Sequence, residues 1–364
     1  MIIKEITDLL EALAPLENAE DFDNVGLLVG DASAEVTGVL ITLDTLESVV
    51  DEAVNKGCNL IVSFHPIIFK GLKRLNGTTY VERCVIKAIK NNIAIYSMHT
   101  ALDNSPVGVN YAICQALGIE DPKILIPSRG TIKKLTTYVP EAEAEQLRLA
   151  LFDAGAGKIG HYSHCSFTVE GSGSFMAGSK ANPAKGKKNE IHFEKEVQIH
   201  LTFPKSAEKA VLKALFEHHP YEEVAYEINT LENRHQYQGM GMLGNLSSPM
   251  QEEDFIGLLK DRMNSPVVRH SNLLGRKVKK IAVLGGSGAF AIKAARNSGA
   301  EVLVTSDVKY HQFFEAEQEI LLLDIGHYES EQFTKNLLAD YLKKKIPNFA
   351  VSLSEVRTNP INYS

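Results

Sequence analysis

The sequence predicts an α/β fold: a mostly parallel or mixed sheet core with helices on both faces, interrupted by an inserted α+β ferredoxin-like domain. Three observations predict it. From about residue 36 to 118, short apolar runs alternate with helical stretches, the βαβ rhythm of a sheet with crossover helices. The same rhythm returns near 279 and continues to about 344. Between about 130 and 235 the order is instead β-α-β-β-α-β. The first and last stretches are therefore read as halves of one core domain, 1–128 and 237–364, and 129–236 as the insertion.

The elements follow in order. In MIIKEITDLLEALAP, the residues Ile3, Ile6, Leu9, Leu10 and Leu13 share one face of a helix. GVLITLD is a strand ending at Asp44, NLIVSF one ending at His65, and IAIYSMH one ending at His99. Helical periodicity through Val49, Val50 and Val54, and through Val85, Ile86 and Ile89, fills the gaps. In the insertion, LTTYVP is a strand, EAEAEQLRLALFDAG a helix stopped by Gly155, and SHCSFTVEGSGSF and EVQIHLTFP are strands. SAEKAVLKALFEHH is its second helix, VAYEINTL its last strand, and GSKANPAKGKKN its longest loop. The core resumes with KIAVLGG, a helix, and AEVLVTSD ending at Asp307. A helix through Phe313 and Phe314, the strand ILLLDIGH ending at His327, and one long amphipathic helix from Glu329 to about Lys344 complete it.

Composition narrows the function classes. The chain has 364 residues, is 44% hydrophobic and carries a formal net charge of -7, which argues against nucleic acid or an anionic membrane as partner. The small basic run at Lys185, Lys187 and Lys188 reads as a solvated loop. Cys58, Cys84, Cys114 and Cys165 are scattered, with no C-x-x-C pair, as in reduced cytosolic proteins. The N-terminus lacks a signal-peptide pattern and the apolar runs are strand-sized, so a cytoplasmic location is expected.

The chemistry is predicted by where polar residues fall. LIVSF delivers His65, IAIYSM delivers His99 with Asp103 four residues on, and ILLLDIG delivers His327. In open α/β sheets ligands bind beyond the carboxyl ends of the strands. His327 and Glu331 are spaced to share one helical face, an imidazole and a carboxylate suited to a divalent metal. His65 and Asp103 would supply the other half. A single histidine after a strand is more often a cap or packing residue, and a lone H-x-x-x-E is common on helix surfaces. Their joint occurrence at equivalent strand ends carries the prediction. His99, Gly286, Ser287, Asp307 and His311 are candidates for supporting the ligands or touching substrate. In GGSG, Gly285 to Gly288, backbone amides could cradle a phosphate, or the segment is a tight turn; both readings stand. Asp307 reads as a partner of a ligand or a helix cap rather than a ligand. Asp23 to Gly26 reads as a turn, and His218 and His219 as structural or surface residues. No G-x-S-x-G element points to covalent catalysis.

Longer motifs carry a family resemblance over essentially the whole chain. They are DNVGLLVGD at 23–31, FHPIIFKGL at 64–72, HTALDNSPVGVN at 99–110, and KIAVLGGSG, VTSDVKYH and DIGHYESE toward the end, with GKIGHYSHCSF, ANP and HPYEE in the insertion. The chain resembles the toroid-forming, dinuclear-metal family called GTP cyclohydrolase I type 2 homologues, in its form with an inserted PII-like or CutA-like domain. The resemblance implies metal ligation by His65, Asp103, His327 and Glu331, and a homohexameric ring with the sites facing an internal cavity. Where the family has two adjacent histidines before proline, this chain has Phe64-His65, and it has Phe22 where Trp is common. Loss of that imidazole predicts a weaker second ion, or one held by water or by His99.

The expected cofactor is one or two divalent ions per chain, with zinc, iron, manganese and nickel not distinguished. The expected function is a metal-dependent hydrolase acting on a nucleotide or other phosphorylated small molecule. The alternative is a non-catalytic hexamer that stores, delivers or senses metal, with the insertion as its regulatory module.

Overall fold

A computed structural model describes residues 1–364. Two compact units emerge, Met1–Pro127 with Tyr237–Ser364, and Ser128–Gln236. The first half of the larger unit contains α1 (Ile3–Leu13), β1 (Gly26–Val29), β2 (Val39–Thr42), α2 (Glu47–Asn55), β3 (Leu60–Ser63) and α3 (Tyr80–Lys90). It continues through β4 (Ala94–Ser97), α4 (His99–Asp103), α5 (Val109–Leu117) and β5 (Ile119–Pro127). The smaller unit has β6 (Ile132–Pro140), α6 (Ala144–Asp153), β7 (Phe167–Met176), β8 (Ile191–Pro204), α7 (Glu208–His218) and β9 (Tyr226–Leu231). The second half of the larger unit begins with β10 (Gly239–Gln251), α8 (Glu252–Arg262), β11 (Arg269–His270), β12 (Lys277–Ser287) and α9 (Ile292–Asn297). It ends with β13 (Val302–Ser306), β14 (Leu321–Asp324), α10 (His327–Glu331), α11 (Thr334–Lys345) and β15 (Val351–Leu353).

The larger unit is built on two mixed sheets. One has the order β1-β4-β3-β2-β15, parallel except at the β1 edge. The other has the order β11-β14-β13-β12-β10-β5, with β12, β13 and β14 parallel. The halves exchange strands: β15, near the C-terminus, pairs with β2, and β5, from the first half, pairs with β10. Neither half completes its own sheet, so the two fold as one body. The strands β1, β5, β10, β11 and β15 were not part of the sequence prediction, because glycine-rich, alternating polar or very short segments hide their periodicity.

The central strands are runs of Val, Ile and Leu buried on both faces, as crossover packing requires. Alternate residues point to opposite sides. Leu40, Ile61 and Ile95 pack with Val49, Val50, Cys84 and Ala88 of α2 and α3. Ile41, Leu60, Val62 and Tyr96 face a larger core, shared with α1, α5, α8, α11 and with Ile281, Val283, Val302 and Leu321 of the second sheet. That sheet's far face, Ala282, Leu303 and Leu322, packs on Ile292 and Ala295 of α9. Each fully buried Leu or Ile contributes roughly 1.5–3 kcal/mol. Burial of Ile3, Ile6 and Leu10 fixes α1 in the central core, and Tyr341 Oη of α11 donates to Leu9 O at 2.9 Å. α5 stops at Gly118, whose φ of +68° suits a helix C-terminus.

Two predicted helices differ. The segment through Phe313 and Phe314 is a 3₁₀ helix, Tyr310–Ala316, with Phe314 and Tyr310 exposed and only Ala316 buried; without a buried stripe nothing draws it into a full α-helix. The single long final helix is two, α10 and α11, interrupted at Gln332 and Phe333. The break separates the turn that carries His327 and Glu331 from the helix that packs on α1.

In the smaller unit the elements run β-α-β-β-α-β and the sheet order is β7-β8-β6-β9, all antiparallel. Leu135, Leu147, Leu151, Ile199, Leu201 and Leu215 form its own core. His219 is buried there; its Nε2 donates to Tyr138 O at 2.9 Å and its Nδ1 accepts from Tyr221 N at 3.1 Å, a structural role.

Candidate metal centre

The carboxyl ends of parallel strands bring the chain's reactive groups together. His65 follows β3, Asp44 follows β2, His99 and Asp103 lie on α4 after β4, Asp307 follows β13, and His327 and Glu331 lie on α10 after β14. Backbone hydrogen bonds hold these ends in register: His65 N donates to Leu43 O at 3.0 Å and His99 N to Phe64 O at 2.9 Å.

His65, His327 and Glu331 converge. Glu331 Oε2 is 3.0 Å from His65 Nε2 and 3.1 Å from His327 Nε2, and one donor atom from each of the three residues lies within 4.8 Å of the others. His65 Nε2, Glu331 Oε2 and Asp103 Oδ1 are nonetheless buried without completing a hydrogen bond. Atoms aimed at a shared point rather than at one another produce this pattern, and buried polar atoms left so are costly unless something satisfies them. An imidazole pair and a carboxylate are a donor set that fits a divalent cation. Asp103 is not one of the close triad, but it lies near enough to feel the charges of Glu331, His65 and His327 in addition to its own burial.

Each imidazole is oriented by an aspartate from a neighbouring strand end. His65 Nδ1 bonds Asp44 Oδ1 at 2.8 Å, and His327 Nδ1 bonds Asp307 Oδ2 at 2.6 Å. In both sheets the aspartate follows the parallel strand beside the one that carries the histidine. His99 Nδ1 bonds Asp23 Oδ1 at 2.8 Å, and Asp23 precedes β1, the antiparallel neighbour of β4. A carboxylate on Nδ1 takes the N–H and leaves Nε2 to face the site, the arrangement that commonly stands behind metal-bound histidines. The aspartates are themselves held: Thr358 Oγ1 donates to Asp44 at 2.6 Å, Thr100 N to Asp23 at 3.0 Å, and Ser287 Oγ to Asp307.

Charge balances internally. Burial would push the His65 imidazole down, but Glu331 and Asp44 raise it to about 10. His327, likewise opposed by burial, is raised to about 11 by Asp307 and Glu331. Burial would raise Glu331, but His65 and His327 hold it at about 2. Asp103 is pushed well above the usual carboxylate range by burial and by the Glu331 charge. Without a cation, the positive charge of the two imidazoles faces the Glu331 carboxylate.

The GGSG segment does not offer the phosphate cradle that was one reading of it. Gly285 N donates to Asn110 Oδ1 and Gly286 N to Ser330 Oγ, both at 2.9 Å, so these amides are already used. Gly286 has φ +67°, and a Cβ there would lie 2.4 Å from Glu331 Oε1. The glycine makes room for the carboxylate. Ser287 serves Asp307, and Asp307 bonds a histidine rather than capping a helix. His311 packs on Tyr310 and Phe314 within the exposed 3₁₀ helix. Phe64 is fully buried, with its ring centroid 4.9 Å from that of His65 and 5.5 Å from that of His99. Sequence reasoning did not single out Asp44 or Asp23. Asp44 sits at a strand end as His65 does, so the same positional signal marked it; Asp23 was hidden in a turn.

The Duf34/NIF3 (NGG1p interacting factor 3) family model matches residues 1–360. The chain belongs to this family. The GTP cyclohydrolase 1 type 2 homolog of Bacillus subtilis is 39% identical over 366 residues, covering 99% of this chain and 98% of that protein. The Staphylococcus aureus (strain COL) protein of the same name is 34% identical, each covered in full. Among solved structures, a Bacillus cereus protein related to NIF3 superposes with a TM-score of 0.85 at 36% identity, covering 100% of this chain and 99% of that one. Reduced HcgD from Methanocaldococcus jannaschii, at 20% identity and a TM-score of 0.58, shares the fold. No helix of this Duf34/NIF3 protein is long and apolar enough to cross a membrane.

Proposed function

We propose that this Duf34/NIF3 chain is a divalent-metal-dependent hydrolase. The convergence of His65 Nε2, His327 Nε2 and Glu331 Oε2, with His65 Nε2, Glu331 Oε2 and the neighbouring Asp103 Oδ1 buried short of a completed hydrogen bond, carries the reading. A bound divalent ion would supply Lewis acidity and a water acidic enough to react near neutral pH. His65, His327 and Glu331 would hold it, with Asp103 alongside. Asp44 and Asp307 fix the two imidazoles so that little ordering is left to binding. His99 lines the cleft in front of the triad; with Nδ1 on Asp23, its Nε2 is free to take or return a proton.

By the motif resemblance Phe64 stands where the family has a histidine beside His65, and this supports one strongly held ion per chain. Metal analysis of protein purified without chelator tests this; two tightly held ions would contradict it. A screen over nucleotides and related small molecules tests catalysis: turnover should disappear in H327A while assembly, which the motif resemblance makes a homohexamer, persists in light scattering. Absence of turnover on every compound, with reversible metal exchange, would favour the non-catalytic reading of metal storage, delivery or sensing. That reading draws support from the loss of the phosphate cradle, because the occupied Gly285 and Gly286 amides leave a phosphorylated substrate without its expected anchor.

A further inference from the structure

The cleft above the triad has a volume of about 350 Å³, at the small end of the roughly 300–1,000 Å³ typical of small-molecule sites. Its floor is polar, with His99, Asp103, His327 and Glu331. Its walls are apolar, with Phe22, Phe69 and Phe290. Phe22 is 65% exposed and Phe290 59%, so the rings stand largely uncovered at the mouth. Phe22 and Phe69 lie 6.4 Å apart, and Phe69 meets His99 edge-on at 6.1 Å, so the wall runs down to the floor.

No lysine or arginine lines this cleft. Arg269 and Lys309 line a separate cleft on the other side of His327, and Arg269 is spent on Asp324 and on Val308 O. The polar groups beside the floor are also engaged: Thr100 Oγ1 donates to Asp23, and Asn110 bonds Gly285 N and Asp103 O. A phosphate driven to the floor would meet the Asp103 and Glu331 carboxyl groups and no lysine or arginine. A flat uncharged ring would instead bury aromatic surface, where ring-on-ring contacts are worth about 0.5–1.5 kcal/mol each beyond area.

We infer that the cleft takes a neutral, planar heteroaromatic ring, which lies against Phe22, Phe69 and Phe290 and presents a ring nitrogen or carbonyl oxygen to the ion. Any phosphate on the same molecule stays at the mouth. The inference deepens the metal-site reading and rests on it.

Calorimetric titration of the full-length, zinc-loaded protein with imidazole, 4-phenylimidazole and pyrophosphate tests it. The expected result is binding of 4-phenylimidazole about tenfold tighter than imidazole, and tighter than pyrophosphate. That advantage should fall to about threefold or less in F22A and in F290A, both at exposed positions that the fold does not need. Equal affinity for the two imidazoles, tighter binding of pyrophosphate, or an advantage that survives both substitutions would overturn the inference. So would a change of oligomeric state in F22A or F290A, which would make the wall a subunit contact. A protein that retains none of zinc, iron, manganese or nickel sinks this inference together with the metal reading; one that keeps its ion but prefers pyrophosphate sinks the ring inference alone.

Discussion

Gly286 and Glu331 share a space that admits only one of a Cβ and a carboxylate: a methyl at 286 would sit 2.4 Å from Glu331 Oε1. The backbone at Gly286 has φ +67°, so alanine there is strained as well as crowded. G286A should therefore displace Glu331 without removing any ligand. Metal affinity should fall by about 10–100-fold, the range for losing a group that supports a ligand. Competition with a chromogenic chelator checks this, and unchanged affinity would mean that Glu331 does not hold the ion.

The paired aspartates give a second expectation. D44N and D307N keep a hydrogen-bond acceptor but remove the charge behind His65 Nδ1 and His327 Nδ1. Each should weaken metal binding by about 10–100-fold, with a smaller loss of stability in the metal-free protein, where the aspartate faces a charged imidazole. An equal effect on stability and affinity would assign these aspartates to the fold alone.

The strand exchange at β15 is held by Glu52, which accepts from Ser354 Oγ at 2.5 Å and from Glu355 N at 2.9 Å and pairs with Lys56 at 2.8 Å. Burial works against the Glu52 charge, but these donors keep its carboxyl below the ordinary value of 4.5. A carboxyl lowered on folding stabilises the protein above its unfolded pKa, and that contribution is lost as pH falls through the folded one. E52Q should cost about 1–2 kcal/mol at neutral pH, with the gap to the parent closing as pH falls below about 4. Denaturant titrations at pH 7 and pH 3.5 measure it; a gap that does not depend on pH would rule out the charge as the cause.

Residues 128–236 enclose a core of their own, with Leu135, Val139, Leu147, Leu151, Ile199 and Leu215 all fully buried. Expressed alone, this segment should melt cooperatively by circular dichroism. L151A should lower its stability by about 2–5 kcal/mol. A segment that stays unfolded by itself would show that its core depends on the rest of the chain.

Much of the architecture was legible in the sequence. The runs ending at Asp44, His65, His99, Asp307 and His327 hold strands, followed at once by a turn or a helix start, because continuous Val, Ile and Leu can be buried only in a covered sheet. The spacing of His327 and Glu331 on one helical turn was likewise local, since it needs only the helical repeat. The break between α10 and α11 was not legible, because the apolar periodicity continues through it.

The sequence by itself determined which side chains stand at strand ends and which pair shares a helical face, because chain geometry over a few residues decides both. Only the tertiary structure decided that the ends of two different sheets meet, that Asp44, Asp23 and Asp307 each hold an imidazole, and that the Gly285 and Gly286 amides are already taken. Those relationships join residues from 20 to 175 positions apart. They depend on the exchange of β5 and β15 between halves and on the packing of both sheets onto one core, which no local pattern encodes.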